Sequence, residues 1–214
     1  MLRKGRLTEA QARALEVLWP KFGIDASTGK FDPSISFGRT APLIIEIGFG
    51  NGDATWQMAR DEPDKNFIGI EVHKPGVGHL LQALESQQLN NVRIVRNDAV
   101  DFIRDKIPNH CVSGVRVYFP DPWHKKRHHK RRLIQPGFLD LLAEKMAAGG
   151  LLHLATDWQP YAEHMLEVCN EHPAFENLSP TGGYCEKPAW RPETKFERRG
   201  TKLGHESFDL LFTA

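Results

Sequence analysis

The run Leu43-Ile44-Ile45-Glu46-Ile47 leads without a break into Gly48-Phe49-Gly50-Asn51-Gly52. Five residues are too few for a helix, and apolar side chains on both faces fit a strand buried on both sides, as in a parallel sheet. The glycines let the backbone turn tightly and approach a ligand with no Cβ in the way. Parallel strands need crossovers, and the rest of the chain supplies them. Helical patterns at Ala54–Arg60, Gly78–Gln88, around Val100–Arg104, Phe138–Ala147 and Trp158–Glu171 alternate with strands at Phe67–Ile70, Val92–Val95, Val115–Phe119 and Leu151–Ala155. The alternating stretch Ser207–Phe212 reads as an antiparallel edge strand. Near the start, Thr8 to Trp19 reads as a short helix with Thr8 as N-cap and Gln11 as its capping partner, followed by a loop over 20–40. The expected fold is a doubly wound α/β sheet, whose ligands collect at the carboxyl ends of the strands.

A length of 214 residues suits one principal domain over 41–214, preceded by a basic arm and helix over 1–40. Net charge is only +1, but the tracts 3–6, 125–132 and 191–202 hold 14 of the 28 Lys/Arg and two acids, a sum of +12 against −11 for the remainder. Such polarity gives a polyanion a basic face if the tracts meet in space; taken singly, each tract is also what a solvated loop looks like. Cys111, Cys169 and Cys185 are scattered and odd in number, which argues for free thiols in a reducing cytosol and against a disulfide framework or zinc site. The N-terminal residues lack a signal-peptide apolar run, and no stretch has the length of a membrane span. The expectation is a cytoplasmic protein.

Strand ends carry the candidate chemistry. After the glycine turn, Asp53 stands where a dinucleotide fingerprint wants a small third residue, which weakens a nicotinamide reading. Glu71 closes the second strand about 20 residues on, where a carboxylate takes ribose hydroxyls. Asp98 and Asn97 close the third, where a carboxylate and nearby backbone atoms reach an adenine; a plain helix N-cap is the competing role for Asp98. Ser27-Thr28-Gly29-Lys30-Phe31 is no phosphate loop, because Ile24 and Phe31 replace the required Gly and Ser/Thr. His124, His128 and His129 lack a carboxylate or thiolate companion, so no metal is expected.

The fourth strand runs into Pro120-Asp121-Pro122-Trp123 and then Lys125-Lys126-Arg127-His128-His129-Lys130-Arg131-Arg132. The prolines force an extended turn. A carboxylate and an aromatic ring are thereby held beside a tract suited to phosphate. Trp123 has two readings, stacking on an exposed base or packing over the Pro120–Pro122 turn.

These residues resemble a known family. Glu46 to Gly52, Glu71 and Asp98 look like the cofactor motifs of class I S-adenosylmethionine-dependent methyltransferases. Pro120 to His128, Ala155-Thr156-Asp157-Trp158 and Thr194-Lys195-Phe196-Glu197-Arg198 look more narrowly like bacterial tRNA (guanine-N7)-methyltransferases. The resemblance implies a mostly parallel seven-stranded Rossmann-like sheet with an antiparallel last strand. It implies S-adenosylmethionine as cofactor, held by Glu46, Gly48, Gly50, Glu71, Asn97, Asp98 and Asp121. It implies substrate contacts from Lys125, Asp157, Thr194, Lys195, Phe196 and Glu197, and RNA contacts from Arg127, His128, His129, Lys130, Arg131 and Arg132. The implied reaction is methylation of N7 of guanine 46 in the tRNA variable loop, by a monomer or homodimer with no obligatory protein partner.

The chemistry agrees with that implication. N7 of guanine has an in-plane lone pair and no proton to lose, so alignment and electrostatics matter more than a general base. Asp121 is the candidate catalytic residue, either balancing the charge gained by the purine or gripping its N1–H and N2–H donors. Competing readings are a nicotinamide-dependent oxidoreductase, an exocyclic-amine methyltransferase and a non-enzymatic RNA-binding module. Asp53 and the cationic tract oppose the first, Asp121 between the prolines opposes the second, and intact strand-end acids oppose the third. Asp157 has a second possible role as N-cap of the Trp158 helix, and Thr194–Glu197 as a plain surface loop.

Overall fold

The computed structural model describes residues 6–25, 29–194, 197–198, 204 and 206–214. The chain divides into two compact units, Met1–Pro108 and Asn109–Ala214.

In the first unit, three parallel strands, β1 (Leu43–Ile47), β2 (Asn66–Ile70) and β3 (Val92–Val95), are ordered β3-β2-β1. Every residue of β1 and β2 is buried, as their unbroken apolar character requires. The crossovers are α4 (Asp53–Asp61), α5 (Lys74–Ser86) and, after β3, α6 (Ala99–Lys106). Val77, Leu80, Leu81 and Leu84 of α5 follow the i, i+3, i+4, i+7 rule and are fully buried, each contributing about 1.5–3 kcal/mol.

The helix at the start is α1 (Glu9–Val17), with the expected capping box: Thr8 Oγ1 accepts from the Gln11 N–H, and Gln11 Oε1 accepts from the Thr8 N–H. Gln11 also donates to the Pro75 carbonyl at 3.1 Å, tying α1 to the entry of α5. The loop expected over 20–40 is instead interrupted by α2 (Trp19–Phe22) and α3 (Pro33–Phe37). Asp32 caps α3 through the Ser34 and Ile35 N–H groups, with Pro33 at its first position, so Asp-Pro-Ser here starts a helix.

The second unit contains β4 (Val112–Tyr118), β5 (Met146–Thr156), β6 (Glu176–Asn177) and β7 (Phe208–Thr213), ordered β4-β5-β7-β6. Strands β4 and β5 are parallel; β7 runs antiparallel to β5 and pairs on its other side with β6. The C-terminal strand is therefore antiparallel as expected, but it is not an edge. Two-residue β6 takes that place, and it is too short to read as a strand from sequence. Helices α7 (Pro136–Lys145) and α8 (Gln159–Glu171) complete the unit. Seven strands among the described residues, mostly parallel and alternating with helices, make this the doubly wound α/β fold that the sequence implied.

Candidate functional site

The glycine turn after β1 takes left-handed backbone at Gly48, Gly50 and Gly52, with φ of 73°, 59° and 79°. A Cβ at Gly48 would project into open space, so the turn presents bare backbone outward. On the other side a Cβ at Gly76, in the first turn of α5, would come within 1.9 Å of the Gly50 carbonyl oxygen. Helix α5 and the glycine turn are packed backbone against backbone.

Glu71, at the end of β2, is the brace of this turn. Its Oε2 accepts from the Gly50 N–H at 3.0 Å, and its Oε1 from the Val72 and His73 N–H groups at 2.7 and 2.9 Å. A carboxylate has roughly four acceptor positions. Three face backbone amides here, which leaves room for one ribose hydroxyl with the brace intact and for the expected two only if the Gly50 contact yields. Glu46 is buried within β1. At the end of β3, Asn97 Oδ1 accepts from the Asp98 N–H, and Asp98 Oδ1 caps α6 through the Val100 and Asp101 N–H groups. The capping role weighed for Asp98 is thus real, and the exposed residue keeps a second oxygen for a ligand. An open cleft of about 680 Å³ borders this strand end, walled by Leu7, Leu15, Trp19, Lys74, Arg96 and Asn97.

In the second unit, β4 ends in a strained turn. Phe119 and Trp123 have φ of 51° and 48°, a region costly for bulky residues, and they bracket Pro120-Asp121-Pro122. Asp121 is exposed, and its Oδ1 accepts from the Trp123 N–H at 3.1 Å. The Trp123 ring is half-buried. Arg131 stands over it at 5.0 Å and His128 meets it edge-on at 5.8 Å.

The cationic tract forms a 3-10 helix over Lys126–Arg131, preceded by exposed Lys125. Its members divide sharply. Arg127, Lys130 and Arg131 are exposed. Burial, and then the neighbouring Arg132, hold the His129 pKa below its ordinary value. Arg132 is buried: it donates to the Pro122 and Pro160 carbonyls at 3.0 and 3.3 Å and stands 4.7 Å over the Tyr161 ring. Of the residues expected to contact RNA, it is the one whose guanidinium ties the Asp121 turn to α8.

Asp157 is half-buried and does not cap α8; Trp158 holds the N-cap position, and Thr156 Oγ1 accepts its N–H. Thr194 and Glu197 bond reciprocally, Glu197 N–H to Thr194 Oγ1 at 3.1 Å and Thr194 N–H to Glu197 Oε2 at 3.3 Å. Lys195 and Phe196 lie outside the described residues. Glu197 is no surface residue. It is buried and paired bidentately with Arg191, both contacts at 2.8 Å, with Lys187 and Ser207 also on Oε1.

Arg191 belongs to a network that sequence reasoning missed. It donates to Asp209 on β7 at 2.7 and 2.8 Å. Asp209 accepts from His153 Nε2 on β5 at 2.8 Å, and His153 Nδ1 contacts the Tyr118 hydroxyl on β4 at 3.0 Å. A carboxylate only accepts, so Nε2 carries the ring proton and Nδ1 accepts from tyrosine. Burial lowers the His153 pKa despite Asp209, which keeps the ring neutral. Burial alone would raise Asp209 and Glu197, but hydrogen bonds from His153 and Arg191 to the former, and from Arg191 to the latter, outweigh it and lower both. The available signal was polar residues inside apolar strands, His153 in Leu151–Ala155 and Asp209 in Phe208–Phe212. Among the described residues, no His/Cys/Asp/Glu cluster could hold a metal, and no helix is long and apolar enough to cross a membrane.

Known proteins resemble this chain along its length. Residues 40–210 match the family described as "Putative methyltransferase". A tRNA (guanine-N(7)-)-methyltransferase of Alcanivorax borkumensis is 53% identical over 212 residues, covering 99% of this chain and 89% of that protein. One from Streptomyces avermitilis is 50% identical, covering 98% of this chain and 72% of that protein. In fold, a 16S rRNA methyltransferase superposes with a TM-score of 0.55 at 16% identity, covering 99% of this chain and 97% of the other.

Proposed function

This chain belongs to the tRNA (guanine-N7)-methyltransferase family of class I methyltransferases, and from that premise we propose that it methylates N7 of guanine 46 in the tRNA variable loop, forming 7-methylguanosine. The observation that carries the reading is a likeness spanning both units, and so including the Asp121 turn as well as the glycine turn. S-adenosylmethionine is the cofactor, and when bound it supplies a sulfonium methyl group to the purine lone pair. The residues fit it: Gly48 opens the backbone, Glu71 is a pre-ordered acceptor for ribose, and Asn97 with Asp98 stands at the edge of an open cleft.

The chain's own residues have separable tasks in this proposal. Glu46, Gly48, Gly50, Glu71, Asn97 and Asp98 bind the cofactor. Asp121 also borders it, and it stabilises the purine as positive charge moves onto the ring, or holds the guanine by its N1–H and N2–H donors. No residue needs to remove a proton at N7. Lys125, Asp157 and Thr194–Glu197 position the nucleoside, and exposed Arg127, Lys130 and Arg131, with half-buried His128, contact phosphate. In this reading 41–214 is the methyltransferase domain, preceded by the segment 1–40, and the protein works in the cytoplasm as a monomer or homodimer without an obligatory protein partner. The family match over 40–210 and the reducing-compartment cysteines support that reading.

The test is methyl transfer from labelled S-adenosylmethionine to an unmodified tRNA transcript, followed by digestion to nucleosides. Label in 7-methylguanosine, absent from a transcript lacking guanine 46, is the expected result. Label in another nucleoside overturns the assignment of the base, and failure to bind the cofactor overturns the reading as a whole.

A further inference from the structure

We propose that Arg191 is a positioning residue for the base-accepting side of this site, and that Glu197 serves the substrate through Arg191 rather than by touching it. The inference rests on the function proposed above, adds Arg191 to its residues and changes the part that Glu197 plays. The Arg191 side chain is fully buried. Its three guanidinium nitrogens make four hydrogen bonds to two carboxylates, Glu197 and Asp209, all between 2.7 and 2.8 Å. The same guanidinium stands 5.8 Å from the Tyr118 ring centre and 5.7 Å from that of Phe119. Phe119 is the strained residue that opens the Asp121 turn. One side chain therefore touches both segments that the proposed function needs in register, the turn bearing Asp121 and the segment bearing Thr194 and Glu197.

The charge balance shows why this is a designed junction. Arg191 and Lys187 face Glu197 and Asp209, and neutral His153 closes the far end. Burying such a cluster generally stabilises less than an apolar core of the same volume, so its distinctive product is fixed geometry. Lysine could not replace Arg191, because an ammonium cannot hold two carboxylates bidentately in one plane. The Arg191 backbone is itself pinned by donation to the Pro188 carbonyl at 3.0 Å, between Pro188 and Pro192. Releasing the guanidinium frees Glu197, and with it the reciprocal Thr194–Glu197 bonds.

The experiment compares the full chain with Arg191→Lys, Glu197→Gln and the double variant, reading three quantities. These are cofactor affinity by calorimetry, kcat and KM for tRNA, and hydrogen exchange at the Thr194 and Glu197 amides. The expected result is cofactor affinity within about twofold of the parent, kcat/KM for tRNA lowered roughly tenfold by either single change, and protection lost at both amides. The double variant should be no worse than the worse single one, because both remove the same coupling. A lowered melting temperature with unchanged kcat, KM and exchange would make Arg191 merely structural and overturn the proposal, as would losses that multiply in the double variant. If Arg191→Lys does not fold, Glu197→Gln, which keeps shape, carries the same readouts. A parent that binds cofactor but makes no 7-methylguanosine refutes the function instead, while the exchange result still decides the positioning claim.

Discussion

The residues proposed for the cofactor in the first unit and those proposed for the substrate in the second are held in opposite ways. In the first unit, Glu71, Asn97 and Asp98 are fixed by backbone N–H groups, most of them within three residues of the acceptor. In the second, the segment bearing Thr194 and Glu197 hangs on side chains contributed by three strands and a loop, Tyr118, His153, Asp209 and Arg191. Backbone amides cannot be mutated away and need little sequence to specify. Side-chain networks are adjustable, but each member depends on the others. A cofactor common to many enzymes suits the first arrangement, and a particular RNA the second.

The largest effect expected on either half is from Asp121→Ala. Its turn is already set by two prolines and by Arg132, so the variant should fold and bind cofactor about as well as the parent. Methyl transfer in single-turnover assays should fall about 10²–10³-fold, the usual cost of losing one preorganised electrostatic group. Near-parental turnover would remove Asp121 from the chemistry. Next comes Glu71→Ala, which takes away both a ribose acceptor and the brace on Gly50. Cofactor affinity should drop roughly 10- to 100-fold, on the scale of a lost charged hydrogen bond, while tRNA binding is spared. Equal cofactor affinity in titration calorimetry would break the contrast between the halves.

How much of this was legible follows the same division. The glycine turn, its strand and the acids that end β2 and β3 could be placed from sequence because each depends on neighbours in the chain. The capping box of α1 was readable for that reason. Asp32-Pro33-Ser34 is equally local, but the signal for α3 lies in its capping order, which the Gly, Pro and Ser content of 20–40 masks. The burial of Glu197 and Arg132 is not legible in the sequence for a deeper reason. Charged residues in a basic stretch look like surface, and only partners far along the chain, Asp209 for the Arg191–Glu197 pair and Pro160 and Tyr161 for Arg132, make them interior. Placing β7 at the edge failed likewise, since two-residue β6 has no pattern to detect.

Adjacent arginines sharpen the comparison inside the cationic tract. Charge reversal at Arg127 and Arg131 should weaken tRNA binding and lower the slope of log affinity against log salt by about 1–2, as fewer counterions are released. Arg132→Met should leave that slope unchanged and lower stability instead, because its donors serve carbonyls. Equal slope changes for exposed and buried arginines would refute the division.

Acid should loosen the network around Asp209 in steps. His153 has its pKa lowered by burial, so its contribution is complete above the ordinary histidine value near 6.5 and erodes as pH falls below it. Asp209 and Glu197 are lowered by their hydrogen-bond partners despite burial, so they stabilise above ordinary carboxylate values and fail only as pH falls through their depressed ones. Protection of the β5 and β7 amides, relative to their intrinsic exchange rate at each pH, should therefore fall in two stages, one below about 6.5 and one below about 4. His153→Gln should remove the first stage. A single stage in the parent would place the weak point elsewhere.

The smallest effect separates two duties of one residue. Asp98→Ala should cost about 1 kcal/mol through the lost α6 cap, and should also weaken cofactor binding if the second oxygen meets the adenine. Asp98→Ser keeps the cap but has no oxygen reaching as far. Thermal melts of the serine variant should match the parent within about 0.5 kcal/mol, while its cofactor affinity falls severalfold, about 1 kcal/mol of binding. If serine restores both stability and affinity, Asp98 is a cap alone, and adenine recognition in this unit passes to the backbone around Asn97. That outcome would carry the contrast further still, making the backbone both the scaffold of the cofactor half and its reader.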